Sequence, residues 1–122
     1  MVKAIVCGGR DYANRERVWR ILDAAVERLG LDAVVQGGAR GADALAKEWA
    51  HERELQCETF YADWDGLGKR AGHVRNGKML TVGAEICIAF PGGAGTADMV
   101  RQATGAGLRL IEVDAAASEG EG

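Results

Sequence analysis

The amino-acid sequence predicts an α/β protein built on a parallel sheet with helices on both faces, and three observations carry that prediction. Short apolar runs rich in β-branched residues alternate with longer stretches of helical periodicity along the chain. Paired glycines follow the first, second and fourth apolar runs, at Gly8-Gly9, Gly37-Gly38 and Gly92-Gly93. The passages leading from helix back to strand carry only single stops, such as Gly30 and Gly107. In a parallel sheet every strand-to-helix turn opens on one edge, so the paired glycines all fall on one rim. Chain reversal alone would place glycines at both edges, and the asymmetry points to one composite pocket.

The elements follow in order. Val2 to Cys7 is a β-branched run ending in Gly8-Gly9. Asn14 or a neighbour caps a first helix whose apolar face is Val18, Trp19, Ile21, Leu22, Ala25, Val26 and Leu29, and Gly30 stops it. Ala33 to Gln36 is the second strand, followed by Gly37-Gly38-Ala39-Arg40-Gly41. The second helix runs from Ala42 to about Leu55, with Leu45, Ala46, Trp49 and Ala50 inward. Cys57 to Tyr61 is a short, less apolar strand suited to a sheet edge. Ala62 to Gly72 reads as a long irregular passage, of the kind that in a compact domain is functional or mobile. A third helix lies near His73 to Val82, a fourth strand at Glu85 to Phe90, a fourth helix at Ala97 to Ala106 and a fifth strand at Leu108 to Val113. Residues 1–113 form one domain, and Asp114 to Gly122 is a small polar tail expected to be disordered.

With 122 residues, 48% hydrophobic and 27% charged, the chain has the composition of one globular domain able to bury a core. A net charge of −3 argues against a general electrostatic grip on nucleic acid, although a local arginine patch stays open. Cys7, Cys57 and Cys87 form no CxxC pair and have no histidine cluster nearby, so they read as small buried residues of a reducing compartment. No segment approaches the roughly 20 apolar residues of a membrane span, and the expected location is cytoplasmic. Neither a metal site nor a cofactor is expected, since His73 has no second ligand at metal spacing and His51 sits on a charged helix face.

The stretch Phe90-Pro91-Gly92-Gly93-Ala94-Gly95-Thr96 is where the chemistry concentrates. Three glycines in four positions let backbone amides approach a ligand, and the following helix directs the positive end of its dipole to the same place. That suits an anion, above all a phosphate. Arg10 and Arg40 follow glycine pairs and project at the pocket edge, either to bind a ligand or to pair with carboxylates such as Asp11 and Asp43. Those two aspartates in turn could hold ribose, move a proton, or fix the loops. Thr96 and Asp98 stand near a helix start, where both residue types satisfy free amides. Trp64 is read as a plug at the side of the sheet ahead of a stacking surface for a base.

Taken together, Cys7-Gly8-Gly9-Arg10-Asp11-Tyr12, Gln36-Gly37-Gly38-Ala39-Arg40-Gly41-Ala42-Asp43, Ala62-Asp63-Trp64, Ala71-Gly72-His73-Val74-Arg75-Asn76-Gly77-Lys78-Met79 and Phe90 to Thr96 resemble the YspA-like, YpsA-related branch of the SLOG superfamily. That superfamily also holds the LOG phosphoribohydrolases and DprA. The resemblance runs in order from Lys3 to Val113. It implies a Rossmann-like three-layer α/β/α fold, strand order 3-2-1-4-5, and a nucleotide or nucleotide-derived ligand. In LOG enzymes, which cleave the N-glycosidic bond of a nucleoside 5′-monophosphate, the motif is PGGxGTxxE and an arginine from an R-K-x-x-M helix assists. Arg75, followed by Met79, keeps the arginine, while the glutamate position falls on Met99, a thioether that cannot carry a proton. Asp98, one residue earlier, lies about 100° around the helix.

The expectation is therefore a nucleotide-binding module whose ligand contacts are Gly8, Gly9, Arg10, Gly37, Gly38, Arg40, Asp43, Arg75, Asn76, Pro91, Gly92, Gly93, Ala94, Gly95 and Thr96. A phosphoribohydrolase is the alternative, with Asp98, Asp43 and Arg75 as catalytic candidates and Asp11 as a further carboxylate. Binding of single-stranded DNA in the manner of DprA comes third. By the same resemblance the chain is expected to form a homodimer.

Overall fold

A computed structural model describes residues 1–114; the expected disordered tail lies almost wholly outside the described residues. The order along the chain is β1 (Val2–Cys7), α1 (Arg15–Leu29), β2 (Leu31–Gln36), α2 (Ala42–Glu52), β3 (Gln56–Thr59), α3 (Trp64–Leu67), α4 (Ala71–Met79), β4 (Ile86–Ala89), α5 (Ala94–Gly105) and β5 (Arg109–Glu112). The five strands form one parallel sheet in the order β3-β2-β1-β4-β5, with β1 at its centre. This is the three-layer Rossmann-like fold that the alternation and the family resemblance imply.

Strand periodicity divides the core into two layers. Side chains of a strand alternate between faces, so Ala4, Val6, Val34, Ile86 and Ile88 meet Val18 and Leu22 of α1 and Ala46 and Trp49 of α2 on one side. Ile5, Cys7, Val35, Cys87 and Ala89 meet Met79 of α4 and Met99 and Ala103 of α5 on the other. Burial on both faces is why these strands read as nearly unbroken apolar runs. Cys7 and Cys87 are buried and Cys57 is half-buried, all as free thiols. Among the described residues no helix is long and apolar enough to cross a membrane.

Helix boundaries depart from the sequence reading in ways that local chemistry explains. Asn14 caps α1, its side chain accepting from the Arg17 amide at 3.1 Å, and Gly30 ends it in the left-handed conformation at φ 71°. The second helix stops at Glu52 rather than near Leu55, and Glu54 takes a positive φ of 57° to turn the chain into β3. The passage from Ala62 to Gly72 is not irregular. Asp63 accepts from the Gly66 amide at 2.9 Å and starts α3, a 3₁₀ turn spans Gly68–Arg70, and α4 begins at Ala71 rather than His73. It ends at Met79, with a 3₁₀ turn over Leu80–Val82. The last helix begins at Ala94, three residues before the expected Ala97, because glycines at its start do not prevent the helical turn.

Candidate functional site

The strand order reverses between β1 and β4, and in sheets of this kind a crevice opens at the carboxyl ends of the strands there. A cleft of about 780 Å³ occupies that place. It is lined by the end of β1 (Gly8, Gly9, Arg10), the turn after β2 (Gly37, Gly38, Arg40, with Asp43 behind) and Arg75 and Asn76 of α4. The start of α5 (Gly93, Ala94, Gly95, Thr96) completes it. Of the expected contacts, Pro91 and Gly92 lie outside this lining. They form the turn behind it: the Pro91 carbonyl accepts from the Gly9 amide at 2.8 Å, and Thr96 fills the space a Gly92 side chain would need.

The glycines of the rim are of two kinds. At Gly8, Gly37, Gly41 and Gly92 an added Cβ would collide with the protein itself: with Ala42, the Arg75 guanidinium, the Gly9 carbonyl and Thr96 respectively. These glycines let the loops approach one another. At Gly93 and Gly95 an added Cβ would meet nothing within 4 Å.

The amides divide the same way. Three of those in the second turn are already satisfied: Asp43 Oδ2 accepts from Gly37 and Ala39 at 3.2 Å each, and Gln36 Oε1 accepts from Gly38 at 2.6 Å. The Gly9 amide donates to Pro91. At the start of α5, by contrast, Gly93 is the N-cap and no side chain caps the helix. The glycine turns that share the expected composite pocket therefore do not all offer free amides to it. Two of the turns shape the wall. The starts of α2 and α5 both lack a side-chain cap, but the Ala42 amide that opens α2 donates to the Gly9 carbonyl, whereas the α5 start pairs its uncapped end with open space at Gly93 and Gly95.

Arg75 and Asn76 are built into the wall. Arg75 Nη1 donates to the Gly37 carbonyl at 2.6 Å and its Nε donates to Asn76 Oδ1 at 2.9 Å. Asn76, buried, donates in turn to the Gly95 carbonyl at 3.3 Å and to Asp98 Oδ2 at 3.0 Å. A single chain of bonds thus joins the β2 turn, α4 and the start of α5. Burial lowers the Arg75 pKa, opposed by the nearby Asp43 charge.

The two catalytic carboxyl candidates sit in opposite environments. Asp43 lines the cleft and is buried, and burial raises its pKa against the pull of the Ala39 and Gly37 amides and of Arg75. Asp98 lies on the flank where α4 meets α5. Burial works to raise its pKa too, but bonds from Asn76, His73 (2.8 Å) and Gln102 (2.8 Å) outweigh it and hold the group down to about 2. Met99, at the LOG glutamate position, is 1% exposed and packs in the core beside Ala103.

The remaining candidates are at the rim. Arg40 and Asp11, both exposed, approach within 3.8 Å. Arg10 lies over the Trp64 ring, 5.8 Å from its centre. Trp64 itself is 49% exposed and lines the cleft, so the reading of it as a plug at the side of the sheet is corrected: α3 turns it outward. His73 is in the first turn of α4. Sequence reasoning missed Tyr61, which also lines the cleft; its place just beyond the edge strand, two residues before the Asp63 cap, was the available signal.

A doubly wound α/β domain with a glycine-walled cleft at its switch point is the class of protein that these features define. Residues 2–66 match the family described as YspA, cpYpsA-related SLOG. The chain is 39% identical over 120 residues to the Gene 61 protein of Mycobacterium phage D29, an alignment covering 91% of this chain and 95% of that protein. This chain belongs to the YspA, cpYpsA-related SLOG family. No solved structure matches it significantly.

Proposed function

We propose that the protein binds a nucleotide or nucleotide-derived ligand in the cleft, with a phosphate or phosphoribosyl group on the Gly93 to Thr96 start of α5. One observation carries the reading. Gly93 and Gly95 have open space where a side chain would go, at a helix start on the rim that no side chain caps. Protein packing does not ask for glycine there, and glycine within a helix costs up to about 1 kcal/mol relative to alanine. A ligand that must approach the amides asks for it. Gly8, Gly9, Gly37 and Gly38 wall the cleft, and Arg10, Arg40 and Arg75 supply positive charge facing the same space. Membership of the SLOG family is compatible with a nucleotide-related ligand. Isothermal titration against nucleoside mono-, di- and cyclic phosphates tests the reading: saturable binding of at least one is expected, and heat-silent titration with all of them contradicts it.

Asp43 favours a second reading, hydrolysis of an N-glycosidic bond. A buried carboxyl with a raised pKa, facing the cleft beside Arg75, is placed to donate a proton to a departing base while water attacks the sugar carbon. Asp98, held ionised by its neighbours, is the poorer donor. Release of free base from a nucleoside 5′-monophosphate, lost in Asp43→Asn and kept in Asp98→Asn, is the expected result; no release from any nucleotide retires this reading and leaves binding intact.

A further inference from the structure

We infer that the cleft takes a ligand with a planar aromatic base, and that the base stacks at the rim formed by Tyr61 and Trp64; the inference deepens the nucleotide-binding reading and rests on it. These two rings are large apolar side chains left open to solvent on the same segment between β3 and α4, Tyr61 at 70% and Trp64 at 49% exposure, and both line the cleft. Neither is a loose surface residue. The Tyr61 ring lies so close to the second glycine turn that a Cβ on Gly38 would come within 2.5 Å of Cε1 and 2.6 Å of Cδ1. Gly38, at φ +72°, both makes the turn and leaves room for the ring. The outer edge of the Trp64 indole rests near Gly72 at the first turn of α4, where a Cβ would stand 3.3 Å from Cη2. Arg10 holds its guanidinium over the same indole.

Two braced, exposed rings beside a polar cleft present flat apolar surface that the core does not use. A nucleobase is the flat apolar part of a nucleotide, and its faces stack on aromatic side chains with little regard to base identity. The charges are arranged to match. Arg10 and Arg75 lie beside the aromatic rim, which follows β3, while the start of α5 follows β4 on the other side of β2 and β1, so base and phosphate have separate seats in one cleft.

The test compares ribose 5-phosphate with the four common nucleoside 5′-monophosphates, titrated against wild type, Trp64→Ala, Trp64→Phe and Tyr61→Ala. At least one monophosphate is expected to bind about ten- to a hundredfold more tightly than ribose 5-phosphate. Trp64→Ala and Tyr61→Ala should erode that margin while ribose 5-phosphate binds as before, and Trp64→Phe, which keeps an aromatic face, should retain most of it. Monophosphates binding no better than ribose 5-phosphate would overturn the stacking seat while leaving the phosphate seat standing. Equal losses for both ligands in Trp64→Ala, or none for either, would overturn it as well. If no compound binds wild type, the nucleotide reading itself falls and takes this inference with it.

Discussion

The guanidinium of Arg75 fills the space that a side chain at Gly37 would need, and its Nη1 donates to the Gly37 carbonyl at 2.6 Å. The glycine turn and the arginine that faces the cleft are therefore one unit. A methyl group at Gly37 must displace the guanidinium. Gly37→Ala is expected to lose about 1–3 kcal/mol in urea unfolding. Because Arg75→Ala removes the obstacle, the double variant should be more stable than the two single losses add up to. Simple additivity would show that the contact is not what makes Gly37 necessary.

Asp98 ties α4 to α5 through Asn76, His73 and Gln102, and its side chain is 15% exposed. Its folded-state pKa, about 2, lies below the ordinary 3.8. Its stabilising effect is therefore present above pH 3.8 and is lost as pH falls through about 2. That effect is worth about 2 kcal/mol. Asp98→Asn should lower stability at pH 7 by about that order and flatten the acid limb of the stability curve. An unchanged acid limb would contradict the assignment.

Asp43 has the opposite sign. Burial raises its folded-state pKa above 3.8, so its contribution is fully present below pH 3.8 and is lost as pH rises through the raised value. Asp43→Asn, whose carbonyl can still accept from Gly37 and Ala39, should be no less stable than wild type at pH 7. Asp43→Ala leaves two amides without their acceptor and should cost about 1–3 kcal/mol. Thermal melts of both variants across pH 3 to 8 would separate these cases.

Away from the cleft, Asp23 Oδ1 accepts from the buried indole of Trp49 and from Arg53 Nε at 2.9 Å each, and Arg53 Nη2 completes a forked pair on Oδ2. Removing the carboxylate strands an indole N–H in the core between α1 and α2. Asp23→Ala is expected to lose about 1–3 kcal/mol. Arg53→Ala, which removes only an exposed partner, should lose far less. Equal losses would place the energy in the surface pair instead.

Much of the fold was legible because it follows from periodicity. Parallel strands buried on both faces read as apolar runs, and left-handed stops such as Gly30 need glycine whatever the tertiary context. The cleft was legible only as a rim. Gly8 and Gly93 look alike in the sequence, yet one makes room for Ala42 and the other faces open space, and that difference arises from which loops meet across the sheet. Likewise Asp43 and Asp98 are both aspartates near helix starts. Whether a neighbour four residues back or a helix elsewhere in the chain supplies the bonding partners cannot be seen until α4 and α5 are packed. Trp64 was misplaced for a related reason: the Asp63 cap that turns it outward is a local signal that its hydrophobicity masked.

The central claim is that the start of α5 holds the ligand's anionic group on amides that glycine leaves uncovered, and Gly95→Ala tests it most directly. Alanine meets no protein atom there and favours the helix, so the melting temperature should hold or rise. Affinity for the best-binding nucleoside phosphate, measured by titration calorimetry on the same sample, should fall about tenfold or more as the methyl group blocks a charge-assisted contact. A stable variant that binds as tightly as wild type would contradict the account.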